Sequence, residues 1–410
     1  MLNSGDIGFM IIAATYVFLM TPGLAFFYGG LAQRKNVLNT MMMSVAFMGL
    51  SSVLWVLCGY SLSFSGDLGG VIGNLKWFAF NGVGAEAGPY SDNIPNMGFA
   101  LFQMMFAIIT PSLITGAVAG RMKFKAIFLF VFLWQFVVYY PMAHMVWGGG
   151  FLAQIGSIDF AGGNVVHISS GVSGLVLAIL IGKRKGIEKR SVVPHNIPFV
   201  VLGASLLWFG WFGFNAGSAL AADGLALHAF TTTNTSAACA MLSWMIIDII
   251  KGGKPTVVGA CTGGVIGLVA ITPGAGFVPI WASFIIGALV SPICYFALSV
   301  LKPKFEYDDA LDAFGCHGIG GIWGGIATGL FAQTSINPVA KWDGLVFGDY
   351  HLFVAQVLSI LVTIAVAVVG TLICVGIVRL FTKLRVDENS ENVGLDDSEH
   401  GERAYSAIWE

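Results

Sequence analysis

Apolar runs of roughly 20 residues or more recur along the 410-residue chain, each able to cross about 30 Å of hydrocarbon as a helix. We place eleven of them, near 7–31, 37–63, 95–119, 125–146, 164–182, 197–219, 225–250, 256–275, 278–301, 313–333 and 352–381. Only 10% of the residues are charged, against about 25% in soluble domains. This composition excludes a soluble enzyme, a disordered chain and a nucleic-acid-binding protein. The sequence therefore predicts an all-α polytopic membrane protein.

The basic residues are concentrated in alternate loops, which predicts the orientation of the chain. Of the 20 Lys and Arg residues, only Lys76 and Lys341 lie on one side. The other 18 are Arg34, Lys35, Arg121, Lys123, Lys125, Lys183, Arg184, Lys185, Lys189, Arg190, Lys251, Lys254, Lys302, Lys304, Arg379, Lys383, Arg385 and Arg403. Because basic loops remain in the cytoplasm, we expect a cell-membrane protein with its N-terminus outside and its C-terminus cytoplasmic.

The spans divide into two sets of five and a last helix, within a transmembrane domain of residues 1–385. We place the first repeat at about 1–182, the second at about 197–333 and the last helix at about 352–381. Because each set has an odd number of spans, the second set is inverted relative to the first. The cytoplasmic tail, 386–410, contains eight acidic residues. We expect it to be mobile alone and ordered by a partner.

Two histidines lie deep within predicted spans, His167 in GNVVHISSG and His317 in DAFGCHGIGG. An ionisable residue at this depth is costly and is commonly functional. Because they occupy the last helices of the two inverted sets, the rings can meet on a central pathway. The alternative is two separate histidines, each bonded to a backbone carbonyl, and spacing alone does not choose between them. Paired neutral imidazoles would line a path for a small polar solute or pass a proton.

Three aromatic segments differ from ordinary lipid-facing or core positions. FQMMF ends at Phe106, MVWGGG places Trp147 just past the fourth span, and WFGWFGFNAGS places Phe214 and Ser218 one helical turn apart. A Trp face with a hydroxyl nearby can hold a small cation. By position alone, however, Trp147 is more typical of the aromatic belt at a membrane interface.

The acidic residues before the two histidine helices are interpreted as structural. Asp159 precedes His167 by eight residues, and we expect it to cap backbone N–H groups and to lower the potential near an outer cation site. Asp312 is expected to cap the tenth span in the same way, whereas Asp308 and Asp309 are expected to be solvated loop charges. We predict no cofactor and no metal site, since a third metal ligand at suitable spacing and an HExxH motif are both missing.

The segments DFAGGNVVHISSG, GWFGFNAGS, DAFGCHGIGGIWG and AITPGAGFV resemble the ammonium transporter (Amt/MEP/Rh) family, on its microbial Amt branch. The resemblance runs from the first span to the tail. It implies a transporter of ammonium or ammonia, and of methylammonium, rather than an enzyme. It also implies a homotrimer with a separate pore in each subunit.

The resemblance extends to individual residues of the outer half. Trp147, with Phe106 and Ser218, resembles the family's outer recruitment site for ammonium. Asp159 resembles the acidic residue that supports this site and is needed for transport. Phe106 and Phe214 resemble the stacked phenyl gate.

The resemblance also covers the pore and the tail. His167 and His317 resemble the twin-histidine pair, and GLDDSEHGERAYS resembles the cytoplasmic segment that helps to dock PII-type signal proteins. An apolar pore penalises any ion by several kcal/mol, and ammonium, unlike potassium, can release a proton. We therefore expect deprotonation near the gate, conduction of ammonia and net transfer of charge.

Three alternatives remain at this point. The first is an ammonium sensor that signals through its tail, although about 25 tail residues cannot form a folded output domain. The second is a channel for another small neutral solute, such as carbon dioxide. The third, an intramembrane enzyme that uses His and Asp, lacks a nucleophile motif.

Overall fold

The computed structural model describes residues 1–186 and 193–405, and within them the protein is almost entirely helical. The α-helices are α1 Ser4–Leu31, α2 Val37–Leu54, α3 Tyr60–Phe64, α4 Asn96–Val118, α5 Phe124–Trp134, α6 Tyr140–Trp147, α7 Phe151–Gln154, α8 Ser169–Ile181, α9 Ile197–Ala216, α10 Gly224–Gly252, α11 Val257–Ile271, α12 Ile280–Phe296, α13 Lys302–Phe305, α14 Ile319–Phe331, α15 His351–Phe381, α16 Glu388–Val393 and α17 Leu395–His400. A short antiparallel hairpin joins β1 (Ala87–Gly88) to β2 (Ser91–Pro95).

Nine helical segments in the described part of the chain are long and apolar enough to cross a membrane. They are Ser4–Leu31, Arg34–Phe64, Asn96–Val118, Phe124–Gln154, Gly163–Ile181, Ile197–Ala219, Gly224–Gly252, Ile280–Phe305 and His351–Phe381. Two of the eleven predicted runs, near 256–275 and 313–333, are not among the nine. The first forms the shorter helix α11, and the second forms a π-helical turn, Phe314–Gly318, that leads into α14. The protein is therefore a helical membrane protein with nine candidate spans.

Several helices begin at a side chain that accepts a hydrogen bond from a backbone N–H group. The Oδ1 atom of Asn3 accepts from the N–H of Gly5 at 2.8 Å at the start of α1. Asn196, Asp223 and Thr256 cap α9, α10 and α11 in the same way. The first turn of a helix leaves its N–H groups without intrahelical partners. These caps therefore fix where the apolar runs become helices.

Close contacts between helices depend on glycine, because small residues let helix backbones approach in a membrane. A Cβ atom placed on Gly203 of α9 would lie 2.2 Å from the backbone nitrogen of Phe27 in α1. A Cβ atom on Gly267 of α11 would lie 2.6 Å from the Cβ atom of Ala240 in α10. Side chains at these two positions would push the helices apart. The tight packing of the bundle therefore requires glycine at both.

The loops predicted to be cytoplasmic come together with the tail on one face. The Nζ atom of Lys35 donates to the carbonyl oxygens of Glu391 and Asn392 at 2.7 and 2.8 Å. The buried guanidinium of Arg121 donates through Nε to the carbonyl oxygen of Gly182 at 2.8 Å. Three of the predicted basic loops and the C-terminal tail therefore lie on the same face. Lys189 and Arg190, which were counted in the orientation argument, lie outside the described residues.

The tail is not mobile in the structure, and that prediction is wrong for residues 387–405. The Asp396 carboxylate accepts from the N–H of Asn39 near the start of α2 at 2.8 Å, and Glu399 accepts from the N–H of Phe124 at the start of α5 at 2.9 Å. The tail resembles a solvated acidic segment in composition, but helix N-termini attract carboxylates. Residues 406–410 lie outside the described residues.

Two further contacts fix the two ends of the described tail. Arg385 and Glu391 form an ion pair at 2.7 Å in which the Glu391 side chain is only 7% exposed. Near the other end, the hydroxyl of Tyr405 lies 3.0 Å from Nε2 of His195, and the Arg34 guanidinium lies 5.2 Å from the centre of the Tyr405 ring. The tail is therefore attached along its length to the helix ends.

Candidate functional site

Three aromatic residues predicted from separate segments form one cluster. The Trp147 ring lies 5.9 Å from the Phe106 ring at an interplanar angle of 82°, and the Phe106 ring lies 4.3 Å from the Phe214 ring. Phe106 and Phe214 are each 1% exposed, whereas Trp147 is partly exposed. The indole therefore lies against the buried phenyl pair, in contrast to the membrane-belt interpretation.

Ser218 lies one turn beyond Phe214, in the short 3-10 helix Gly217–Ala219 that ends α9. Its hydroxyl donates to the carbonyl oxygen of Phe214 at 2.9 Å, and the side chain is partly exposed. A hydroxyl that donates to the backbone keeps its lone pairs available to accept a bond from a cation. Ser218 therefore presents an acceptor just beyond the phenyl pair.

Asp159 caps the start of the fifth span, as the sequence predicts. Its two carboxylate oxygens accept from the N–H groups of Gly162, Gly163 and Asn164 at 2.7 to 2.8 Å, and from that of Val165 at 3.4 Å. Burial raises the pKa of the carboxyl, and these bonds lower it. The carboxylate is thus engaged with backbone inside the protein.

Asp159 also fixes the position of the outer indole through its backbone. The Nε1–H group of Trp147 donates to the carbonyl oxygen of Asp159 at 2.8 Å. This bond orients the indole plane and leaves its π face unobstructed by the hydrogen bond. The residue therefore supports the aromatic cluster with its main chain and the following helix with its side chain.

His167 and His317 meet in the interior, the arrangement that corresponds to the first of the two interpretations left open by the sequence. Their Nδ1 atoms are 3.3 Å apart, their rings are tilted by 18°, and the residues are 1% and 3% exposed. A hydrogen bond between two Nδ1 atoms needs one donor and one acceptor. One ring therefore has its proton on Nδ1 and an accepting Nε2, while the other has its proton on Nε2. The pair presents one outward acceptor and one outward donor.

The histidines approach because glycines occupy the contact between their helices. A Cβ atom on Gly171 of α8 would lie 2.3 Å from the backbone nitrogen of Gly318, and one on Gly321 would lie 3.1 Å from the Cβ atom of His167. Both histidines lie in π-helical turns, Gly163–Ile168 and Phe314–Gly318, a local geometry found frequently at functional sites. The same construction thus occurs in both predicted halves.

Rings continue from the phenyl pair to the histidines. The Phe214 ring lies 6.1 Å from that of His167, and the Trp211 ring stacks on His167 at 5.4 Å and lies 5.3 Å from the Phe214 ring. Trp211, which donates from Nε1 to the Thr272 hydroxyl at 2.8 Å, is a site residue that sequence reasoning missed. Its position three residues before Phe214, on the same helical face, was the available signal. The Nε2 atom of His167 is buried and has no hydrogen-bond partner within the described ranges.

The acidic residues before the second histidine differ from the prediction. Asp309 is fully buried and caps the tenth helical run, accepting from the N–H groups of Ala313 and Phe314 at 3.0 and 2.7 Å. Burial, with the nearby charge of Asp312, raises the pKa of Asp309 to about 6. Asp312 instead bonds the Nζ atom of Lys302 at 2.5 Å. The predicted cap at Asp312 and the predicted solvated charge at Asp309 are both wrong.

The spacing to the histidine gives the physical reason for this exchange of roles. Asp309 precedes His317 by eight residues, the interval that separates Asp159 from His167. A cap must reach the first free N–H groups of the π-helical turn that carries the histidine. Asp312, which lies only five residues before His317, is too close to the start of this turn to cap these N–H groups. The matching interval was visible in the sequence and identifies the cap.

Asp308 is also buried, at 3% exposure, so its expected solvation is wrong too. Arg184 binds its carboxylate through two nitrogens, at 2.7 and 2.9 Å, and Arg121 donates to its carbonyl oxygen. Burial opposes the ionised carboxyl, but the hydrogen bond and charge of Arg184 hold the pKa of Asp308 below its ordinary value. Basic residues of two other loops thus fix the segment that leads to His317.

An open cavity of about 360 Å³ lies on this face, beside the second histidine. Its lining includes the Lys302–Asp312 pair, Arg184, Thr262 and Cys316, the residue before His317. The cavity, lined by charged and apolar side chains, thus reaches the residue next to His317, whereas Trp147 is partly exposed beside Phe106.

Comparisons with known proteins agree with this arrangement. The model of the Ammonium Transporter Family matches residues 8–405. The chain is 52% identical over 404 residues to the ammonium transporter of Bacillus subtilis, covering 98% of this chain and 99% of that one.

Solved structures are also similar to this chain. The crystal structure of Saccharomyces cerevisiae Mep2 matches with a TM-score of 0.88 and 36% identity, over 95% of this chain and 88% of that one. A structure described as a sensor Amt protein matches with a TM-score of 0.87 and 28% identity, over 97% and 98% of the two chains. The relatives whose names state a function are an ammonium transporter and a sensor, and neither is an enzyme. This chain belongs to the ammonium transporter family.

Proposed function

We propose that the chain captures ammonium at an outer aromatic site, removes a proton and conducts ammonia through an apolar pore lined by two histidines. The observation that carries this proposal is the series of adjacent rings, each within about 6 Å of the next: Trp147, Phe106, Phe214, His167 and His317. Four of these five side chains are buried. A hydrated cation does not fit between rings in contact.

The cation binds first at Trp147. The indole π face attracts it, the Ser218 hydroxyl accepts one N–H bond, and the buried charge of Asp159 lowers the potential around it. Cation–π attraction is worth about 0.5–2 kcal/mol, so the site recruits without trapping. Trp147→Leu is expected to raise the KM for methylammonium several-fold, whereas unchanged kinetics would exclude this recruitment site.

Deprotonation gives selectivity that size cannot. Potassium and ammonium are similar in size, and an apolar lumen costs either ion several kcal/mol. Ammonium avoids this cost because it can pass its proton to a water molecule at the partly exposed outer side of the phenyl gate formed by Phe106 and Phe214, and then enter as neutral ammonia. Potassium has no proton to release.

The histidine pair then carries two roles. Its outward donor and acceptor nitrogens hydrogen-bond ammonia, and the unpartnered Nε2 atom of His167 is available for this bond. The shared proton between the Nδ1 atoms gives a proton a route along the same path. We therefore propose net charge transfer. Currents on a solid-supported membrane measure it, and uptake without an ammonium-evoked current would contradict it.

The decisive experiment is methylammonium uptake into liposomes with intact protein, His167→Ala and His317→Ala. Each substitution is expected to weaken selectivity against potassium, because it removes half of the hydrogen-bonded pair. His351→Ala, at an exposed histidine paired with Asp349, is the matched control. Unchanged selectivity in both pore variants would remove the twin-histidine assignment.

Other functions give different results. A channel for another neutral solute would show no competition between ammonium and methylammonium uptake. The likeness to a sensor Amt protein favours sensing as the second candidate. A sensor would bind ammonium at Trp147 with negligible uptake, so flux per protein separates the two.

We propose eleven spans, with α11 and the run Phe314–Phe331 added to the nine. These two lie against neighbouring candidate spans, α10 and α15 respectively. The cell membrane would hold the N-terminus outside and the C-terminus in the cytoplasm. Cysteine labelling at Ser91 from outside and at Thr382 from inside would check the orientation, and labelling from the same side would contradict it.

We also propose a homotrimer, one pore per subunit, with a PII-type protein docked at the cytoplasmic face. Apolar side chains are exposed on α10 and α12, for example Leu242 and Phe284, as expected for helices that face lipid or another subunit. Native mass spectrometry tests the trimer. Pull-down of a PII-type protein that is equally strong after deletion of 386–410 would exclude the tail's role.

A further inference from the structure

A buried histidine and an outer aspartate connect the first outer loop to the helix that carries Trp147. His144 lies on α6, one turn before Trp147, and its side chain has no exposed surface. Its Nδ1 atom is 3.0 Å from the carbonyl oxygen of Ser63, and its Nε2 atom is 3.1 Å from Oδ1 of Asp67. The imidazole is therefore held between two oxygens on opposite sides of the ring.

The partners of the ring determine its protonation state. A backbone carbonyl only accepts hydrogen bonds, and an ionised carboxylate also only accepts. Both contacts are therefore hydrogen bonds only when both nitrogens of His144 carry protons. The N–H of Gly70 also donates to Oδ1 of Asp67, at 2.7 Å. These bonds hold the pKa of Asp67 below its ordinary value, so the carboxylate is ionised at neutral pH. The geometry fits an imidazolium paired with a carboxylate.

The same residue, His144, supports the glycine turn that follows Trp147. The N–H groups of Gly148 and Gly150 donate to the His144 carbonyl oxygen at 2.9 and 3.1 Å. A Cβ atom on Gly148 would lie 2.7 Å from Nδ1 of His144, and one on Gly150 would lie 3.0 Å from Cδ2 of His144. Gly148 and Gly150 of the segment MVWGGG therefore pack directly against the imidazole.

The outer loop completes the connection from the other side. Leu68 and Ile72 form an isolated β-bridge, and the Gly70 carbonyl oxygen between them accepts from the N–H of Phe151 at 2.7 Å. The loop thus binds the glycine turn through the Gly70 carbonyl oxygen and the imidazole through the Asp67 carboxylate. The indole of Trp147 is held by its bond to Asp159, and the turn that follows Trp147 is held by the bond between Phe151 and Gly70.

Other titratable groups on the surrounding elements do not take the place of Asp67. The elements that pack against α6 carry Tyr60, Tyr139 and His167, and α6 itself carries Tyr140. The Tyr60 hydroxyl bonds Asn96 at 2.5 Å and His167 pairs with His317. Asp67 is the acidic group in contact with the His144 ring within the described part of the chain.

We propose that His144 is a positioning residue whose protonated form, paired with Asp67, holds Trp147 in place for cation capture. This inference rests on the proposed outer site. Pairing also matters electrically, because Asp67 neutralises a positive charge that would otherwise repel the incoming cation one helical turn away. Loss of the Asp67 carboxylate breaks one of the two bonds and loosens the turn, so capture weakens.

The test compares the KM and maximal rate of methylammonium uptake by the full-length protein. Asp67→Asn removes the charge, and Asp67→Glu restores it. Asp67→Asn is expected to raise KM about fivefold, because it removes one charge-assisted hydrogen bond whose loss is partly transmitted to the outer site. Asp67→Glu is expected to return KM to within about twofold of the wild-type value. The maximal rate stays within about twofold, since the pore residues are unchanged.

The control is Asp349→Asn, which removes the partner of the exposed His351 and is expected to leave KM unchanged. An unchanged KM in Asp67→Asn would overturn the proposal, as would failure of Asp67→Glu to restore KM. Nitrogen NMR of histidine-labelled protein, assigned with His144→Gln, gives an answer without transport. Two protonated nitrogens on His144 at about pH 6 support the pair, and a neutral ring overturns it.

The two proposals fail separately. Unchanged kinetics in Trp147→Leu would remove the outer recruitment site while the nitrogen spectrum still reports the imidazolium. A neutral His144 in a protein whose Trp147→Leu variant loses affinity would remove only the positioning role.

Discussion

Gly171 offers the sharpest test of how the histidine pair is held. An alanine Cβ atom at this position would lie 2.3 Å from the backbone nitrogen of Gly318 and 2.6 Å from its Cα atom. Ordinary contacts begin near 3.4 Å, so the helix that carries His317 must move by about 1 Å. Backbone cannot rotate away as a flexible side chain can. The Nδ1 atoms, now 3.3 Å apart, would then separate beyond hydrogen-bonding distance.

The expected cost of this overpacking is about 1–3 kcal/mol. If most of it falls on the pore, methylammonium uptake should drop about 10- to 100-fold, because each 1.4 kcal/mol is a factor of ten in rate. Uptake into liposomes measures the loss, and circular dichroism with thermal unfolding verifies the fold. Gly49→Ala is the control, since nothing lies within 4 Å of its Cβ position. A Gly171→Ala protein with normal uptake and potassium selectivity would refute the reasoning.

Three further predictions concern the surroundings of the pore. Because burial raises the pKa of Asp309 to about 6, the folded chain retains a proton that the unfolded chain has released. Its share of stability is therefore lost as pH rises from about 4 to about 6. Asp309→Asn should flatten this part of the thermal-unfolding profile, and parallel profiles would contradict it. Glu391→Gln should increase hydrogen exchange in residues 387–405 about tenfold, because it breaks the half-buried ion pair with Arg385. The control is Glu388→Gln, at an exposed residue. Equal exchange in the two variants would refute this prediction. Trp211→Phe should slow uptake about fivefold through loss of its bond to Thr272, and an unchanged rate would show that this bond has no role in transport.

The apolar runs and the basic loops were sufficient to predict a helical membrane protein, because hydrophobic length is a property of single segments. The idea of two inverted halves made the pairing of His167 with His317 one of two open interpretations, because spacing alone could not exclude separate histidines. Trp147 was less certain in the sequence, since an interfacial aromatic and a site aromatic have the same local pattern. The contact with Phe106, which decides between them, joins residues 41 positions apart.

The failures have a common physical origin in tertiary partners. Asp308 and Asp309 appeared solvated because their local sequence is polar, but Arg184 and a helix start bury them. The acidic tail appeared mobile for the same reason. Its carboxylates are satisfied by helix N-termini at Asn39 and Phe124, hundreds of residues away. Composition cannot identify partners at that separation, although the repeated interval of eight residues before each histidine could have identified Asp309.

The attachment of Tyr405 to His195 and Arg34 has a practical consequence for labelling. A fluorescent reporter joined to the C-terminus by a short connector would pull on this contact and detach the segment that covers the helix ends. Imaging and purification tags at this position could then report a loosened protein as the native one. A Gly/Ser connector of about 20 residues spans roughly 25 Å and would leave the tyrosine seated.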